Sequence, residues 1–216
     1  MPRPLRLIPL GGIHHVTVRG NDRQVIFLDA ADSRRYLAEL DRCCQDWCCD
    51  LIAYALMTNH VHLVLQDHRG QLSQFMQVLN VRYTRYFNDR YDRVGQLYQG
   101  RFHASHVDRN EYLLEVTRYV HLNPVRAGLA ERPEDYPWSS YRVYIDAESN
   151  SHRIQTELVC SLMSRDRFEH PRLYRQFVLD MTPEKFSAWE RRLQRLQLVP
   201  GTFPALGSAW HLLRKF

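Results

Sequence analysis

Ala55-Leu56-Met57-Thr58-Asn59-His60-Val61-His62-Leu63-Val64-Leu65-Gln66 is the stretch that decides the fold. Its second half alternates with a period of two and is rich in Val and Leu, which predicts a β-strand. Same-face positions in a strand are i and i+2. His60, His62 and Val64 therefore share one face, while Val61, Leu63 and Leu65 turn to a core. Two imidazoles side by side on a rigid strand can grip one metal ion. The plain alternative is a pair of half-exposed strand histidines, in a chain with 11 His.

A second stretch, Asp108 to Gly128, adds a helix. Asp108 with Glu111 three residues on resembles a capping box. Pro124 is expected to stop the helix, because it restricts the residue before it and lacks an N–H. Leu113, Val116 and Val120 form the buried stripe. Tyr119 and Asn123, four apart, stack on one face. Packed across the strand, this helix would bring a phenol and an amide to the two imidazoles.

His60-Val61-His62 resembles the HUH signature (U, hydrophobic) of single-strand endonucleases, and Arg118 to Leu129 looks like the active-site helix of single-tyrosine HUH transposases. The REP-associated tyrosine transposase branch of the IS200-like superfamily is the most similar. Ile13 to Asn21, Gln99 to Phe102 and Tyr136 to Tyr141 match in the same order, so the resemblance covers roughly residues 10–145. It implies a metal-dependent single-strand DNA endonuclease and strand transferase acting on hairpin-forming repeats. Tyr119 would be the nucleophile, giving a 5′-phosphotyrosine intermediate. His60, His62 and Asn123 would hold a divalent cation, Mg²⁺ or Mn²⁺. The partner would be single-stranded DNA folded as imperfect palindromic hairpins, bound by a monomer or homodimer. Rival readings are a domesticated hairpin-binding protein that does not cut, and a relaxase or replication-initiator nickase.

Composition is that of an ordinary soluble protein: 216 residues, 44% hydrophobic, 25% charged. No apolar run is long enough to span a membrane and no secretory signal opens the chain, so a cytoplasmic, nucleoid-associated protein is expected. The net charge is +5, and all but Lys185 and Lys215 of the 29 basic residues are arginine. Arginine suits bidentate phosphate contacts and base stacking, though a high-GC genome gives the same bias. Candidate DNA contacts are Arg19, Arg82, Arg85, Arg101, Arg118 and Arg126. Tyr83, Tyr86 and Phe87, interleaved with Arg82 and Arg85, could stack on bases; the alternative is that Tyr83 and Tyr86 or Phe87 are core and the arginines a solvated helix face neutralised by Asp89 and Asp92. Cys43, Cys44, Cys48 and Cys49 lack paired C-x-x-C zinc spacing and read as helix packing.

Working outward, Ile13 to Arg19 reads as a strand, with His14 and His15 as strand histidines rather than ligands. Asp29 or Asp32 caps a helix running to about Trp47. Strands follow at 50–56 and 60–66, a helix opens at Gly70-Gln71, and Arg101 to Val107 is a fourth strand. The order β-α-β-β-α-β-α is a ferredoxin-like α+β pattern with one more helix laid across the sheet. We expect residues 1–145 to form the HUH domain and 146–216 a helical C-terminal extension, with helix over 152–192 and a last short helix from Trp210.

Overall fold

The structure is a computed structural model. It describes residues 9–108, 110–146, 154–181 and 183–195, and the side chains of Glu111, Pro183 and residues 193–195 lie outside it. The expected capping box and the helix from Trp210 fall wholly or partly outside these residues.

Four strands, β1 (Gly12–Arg19), β2 (Cys49–Met57), β3 (His60–Asp67) and β4 (His103–Val107), form one antiparallel sheet in the order β2-β3-β1-β4. Helices α1 (Ala30–Trp47) and α2 (Leu72–Tyr91) fill the two crossovers. This is the ferredoxin-like arrangement. Val16, Val18, Val61, Leu63 and Leu65 are fully or nearly buried on the face covered by α1 and α2. The cap of α1 is as expected: Asp29 accepts from Ala31 N at 2.8 Å and Asp32 N at 3.1 Å, and Asp32 reaches back to Asp29 N. Cys43 and Cys49 are buried in this core as free thiols.

The opposite face, carrying His60 and His62, is crossed by α3 (Asn110–Arg126). Pro124 does not stop this helix, which runs two residues past it. The ring sits in the last turn, where only one helical donor is lost. The end is made instead by Leu129 N donating to Pro124 O at 2.9 Å, with Gly128 at φ +69° in the left-handed conformation favoured after a helix.

The expected helical stretch over 152–192 resolves into α5 (Glu157–Cys160), α6 (His170–Leu179) and α7 (Pro183–Arg195), preceded by α4 (Tyr141–Ile145). Residues 136–145, α4 among them, close the β2 edge, which would otherwise offer unpaired backbone to another chain. Ser140 N bonds Tyr54 O at 3.0 Å, Leu56 N bonds Trp138 O at 2.9 Å, and Tyr144 Oη bonds Ile52 O at 2.8 Å. A bulge between Leu51 and Ala53 bends the strand where these contacts gather. His121, fully buried, ties α3 to this closure through Tyr174 Oη at 2.7 Å and Ser140 Oγ at 2.8 Å. No helix among the described residues is long and apolar enough to cross a membrane.

Candidate active site

The site begins with β3. His60 and His62 project from one face with ring centres 5.0 Å apart, and both are buried. A neighbour fixes each ring. Asn59 Nδ2 donates to Arg23 O at 3.0 Å, a carbonyl that can only accept. That turns Asn59 Oδ1 toward His60, so the 2.8 Å contact with His60 Nδ1 requires a proton on Nδ1. The lone pair of His60 therefore belongs to Nε2. His62 Nδ1 lies 3.1 Å from His15 Nε2. In β1, Arg19 stands across the ladder from His60, and Thr17 from His62. Burial first, then Arg19 and Arg126, pushes the His60 pKa down to about 3. Burial also holds His62 well below its usual value, helped by His60 and His15. All of these rings are neutral at pH 7, the form that ligates a metal.

Helix α3 brings Tyr119 edge-on to His62, with ring centres 5.7 Å apart, and to His15 at 5.9 Å. Its one-turn neighbour Asn123 donates Nδ2 to Tyr119 O at 2.8 Å. The amide nitrogen is thereby held by the helix, and Oδ1 is the ligating atom Asn123 could offer. Tyr119 has no exposed surface, because Phe186 of α7 stacks on it with ring centres 5.1 Å apart and planes within 18°. Burial raises the phenol pKa, Glu190 raises it further, and Arg126, Asn123 and Arg19 oppose both. Arg126 is bound in turn to Glu190 at 2.7 Å and lies over the Phe186 ring. The donor set, two neutral imidazoles with their Nδ1 positions engaged and one oriented amide, fits a divalent cation.

Residues 11–123 match the family of IS200-like transposases. The chain belongs to that family. It is also 22% identical over 149 residues to a Haemophilus influenzae protein assigned to the REP-associated tyrosine transposases, covering 64% of this chain and 84% of that one. Among solved structures it resembles a REP-associated tyrosine transposase bound to a REP hairpin. There the TM-score is 0.57 and the identity 18%, with 67% of this chain and 86% of the other covered. That likeness shows a shared fold.

The arginines of the transposase divide by location. Arg19 and Arg126 lie at the Tyr119 site, where both act on its ionisation. Arg118 is built into the contact between α3 and α6, donating to Phe177 O at 3.1 Å, lying over the Phe177 ring and pairing with Glu115. Arg101 is exposed before β4. Arg82 and Arg85 sit on α2, across the sheet from Tyr119, paired with Asp46 at 3.3 Å and Asp89 at 3.8 Å. Of the aromatics beside them, Tyr86 is half-buried and donates to Asp32 Oδ1 at 3.1 Å, and the other two cannot form a stacking platform. Tyr83 and Phe87 are core side chains at 0% and 1% exposure, and Tyr83 donates to Ile26 O at 2.6 Å. Base stacking needs exposed ring faces, which these positions lack. Sequence reading missed Asn59, His15, Phe186 and Glu190 as parts of the site. Asn59 lies inside the stretch Ala55 to Gln66 and His15 inside Ile13 to Asn21, where it reads as a strand histidine; nothing in the sequence ties Phe186 or Glu190 to Tyr119.

Proposed function

We propose that this transposase cleaves and rejoins single-stranded DNA at hairpin-forming repeats through a covalent 5′-phosphotyrosine at Tyr119. The observation that carries the reading is the packing of the Tyr119 phenol against His62, on a helix laid across the His60–His62 face. Similarity to a protein solved with a REP hairpin supports the choice of DNA. Membership in a transposase family supports the reaction class.

In the step we infer, the Tyr119 oxygen attacks phosphorus, the phenol loses its proton, and the 3′-oxygen of the upstream strand leaves and takes up a proton. Attack of a 3′-OH on the phosphotyrosine reverses this and joins strands. One phosphodiester bond is exchanged for another, so no nucleotide cofactor is consumed. Arg126 and Arg19 favour the phenolate, and in this reading they would meet phosphate oxygens. His60 Nε2, His62 Nε2 and Asn123 Oδ1 would hold Mg²⁺ or Mn²⁺. A bound divalent cation supplies Lewis-acid polarisation of the scissile phosphate.

The cover over Tyr119 favours a second reading, a protein that binds hairpins without cutting them. One experiment separates the two. A 3′-labelled single-stranded hairpin oligonucleotide is incubated with the protein and Mn²⁺, then run on a denaturing gel. Cleavage predicts a labelled protein band that is lost in Tyr119→Phe and in His62→Ala. Tight hairpin binding with no such band supports the binding-only reading.

A further inference from the structure

His15 takes no part in the scheme above, yet it makes the polar contact to His62 Nδ1, at 3.1 Å. The two ring centres are 5.3 Å apart and the planes are within 11°. The N–N contact spans most of that separation, so the rings lie side by side in nearly one plane. This is an imidazole–imidazole hydrogen bond with one shared proton. Its direction decides what His62 can do. If His15 Nε2 accepts, His62 carries its proton on Nδ1 and its Nε2 lone pair is directed elsewhere. If His15 donates, His62 is protonated on Nε2 and cannot ligate through that atom.

The other nitrogen of His15, Nδ1, is buried without a hydrogen-bond partner among the described residues. Whichever nitrogen carries the proton, the fold gains little from a polar ring whose second nitrogen is unsatisfied. The first arrangement is the one that leaves His62 Nε2 able to ligate. A core built for stability alone would place an apolar ring here. The ring is 1% exposed, on a residue paired with Ser105 of β4, and lies edge-on to Tyr119; among the described residues it makes no ion pair that would account for it.

We propose that His15 is a positioning residue, holding His62 in the Nδ1-protonated tautomer and in the ring orientation that presents Nε2 to a divalent cation. It does for His62 what Asn59 does for His60. Partners of this kind set the tautomer of a ligating histidine and raise its basicity. The proposal rests on the metal-site reading given above.

Two measurements on the full chain test it. Long-range ¹⁵N–¹H NMR of histidine-labelled protein without metal reads the tautomer directly, with His62 assigned by signal loss in His62→Gln. Expected is a protonated Nδ1 and a bare Nε2 on His62; the opposite tautomer overturns the proposal. Mn²⁺ affinity by electron paramagnetic resonance is then compared with thermal unfolding of the same variants. His15→Phe is expected to weaken Mn²⁺ binding about 10- to 100-fold with no fall in the unfolding midpoint, while His15→Gln, whose amide oxygen reaches the Nε2 position, stays near wild type. Wild-type affinity in folded His15→Phe, or equal losses in both variants, overturns it. Should His15→Phe fail to fold, the tautomer measurement on the native protein decides. His62→Ala marks the other failure: if it binds Mn²⁺ as wild type does, the metal site itself is wrong and His15 falls with it. Loss in His62→Ala with none in His15→Phe sinks the positioning role alone.

Discussion

Arg126 and Glu190 form the most consequential pair at the level of single residues. Their side chains are 7% and 13% exposed and 2.7 Å apart, on α3 and α7. Removing one partner leaves the other charge in a poorly solvated place, which costs far more than the pair contributes. Arg126→Ala is expected to lower unfolding free energy by about 3 kcal/mol, and Arg126→Ala with Glu190→Ala by clearly less than the two single losses added. Denaturant titrations of the four proteins check this; strict additivity would mean that the pair is not coupled. Tyr119 responds to the same charges. Glu190 holds its proton on, so Glu190→Gln should shift the alkaline rise of strand cleavage toward lower pH. An unshifted pH–rate profile would show that Tyr119 ionisation does not limit the rate.

Among elements, α3 is held on two sides. Phe186 covers Tyr119, and the network from His121 to Ser140 fixes the helix to β2. Ser140 Oγ accepts from Tyr54 N at 2.9 Å and contacts His121 Nε2 at 2.8 Å. Ser140→Ala would leave two buried polar groups unsatisfied and is expected to cost about 2 kcal/mol in equilibrium unfolding. A change within experimental error would show that the edge is closed by its backbone bonds alone. Phe186→Ala should cost about 3–5 kcal/mol through the lost burial and the cavity left over Tyr119. If Tyr119 is the nucleophile proposed above, DNA has to reach its oxygen, and Phe186 then has to move aside first. The same variant should therefore raise adduct yield per folded molecule, which the denaturing gel measures. A lower yield would make Phe186 a support for the nucleophile instead of its cover.

The whole molecule should be acid-labile, for a reason spread over its histidines. Burial lowers the pKa of His15 to about 4 and of His60 and His121 to about 3, and lowers His62 as well. Their unfolded-state value is near 6.5. Between those limits the unfolded chain binds protons that the folded chain does not, so stability falls as pH drops from about 6.5 toward 4. Each such group steepens the loss by up to about 1.4 kcal/mol per pH unit. Urea titrations from pH 7 to pH 4 with a chelator present read the slope. A stability flat across that range would mean that these rings titrate normally. Divalent cation favours the neutral rings, so adding Mn²⁺ should move the acid transition to lower pH.

Much of this was legible in order along the chain. Period-two alternation in 60–66, helical spacing in α1 and α2, and the Asp29 cap are local properties, written in neighbouring residues. They determined the strand and helix order, and with it the ferredoxin-like sheet. The candidate quartet His60, His62, Tyr119 and Asn123 was also legible, since each pair has the spacing of its own element. Local signals misled where a neighbour far away decides the outcome. Pro124 lies in a helix that ends later, and Tyr83 and Phe87 have helical spacing that fits either core or surface. Whether Arg82 and Arg85 meet phosphate or carboxylate depends on Asp46 and Asp89, and Asp46 comes from another helix. Only the tertiary structure set His15 against His62, because that contact crosses from β1 to β3 through sheet register. Only it laid Phe186 and Glu190 over the tyrosine. Side-chain period and capping act over a few residues, whereas burial, charge pairing and ring stacking depend on distances in space that sequence separation does not encode.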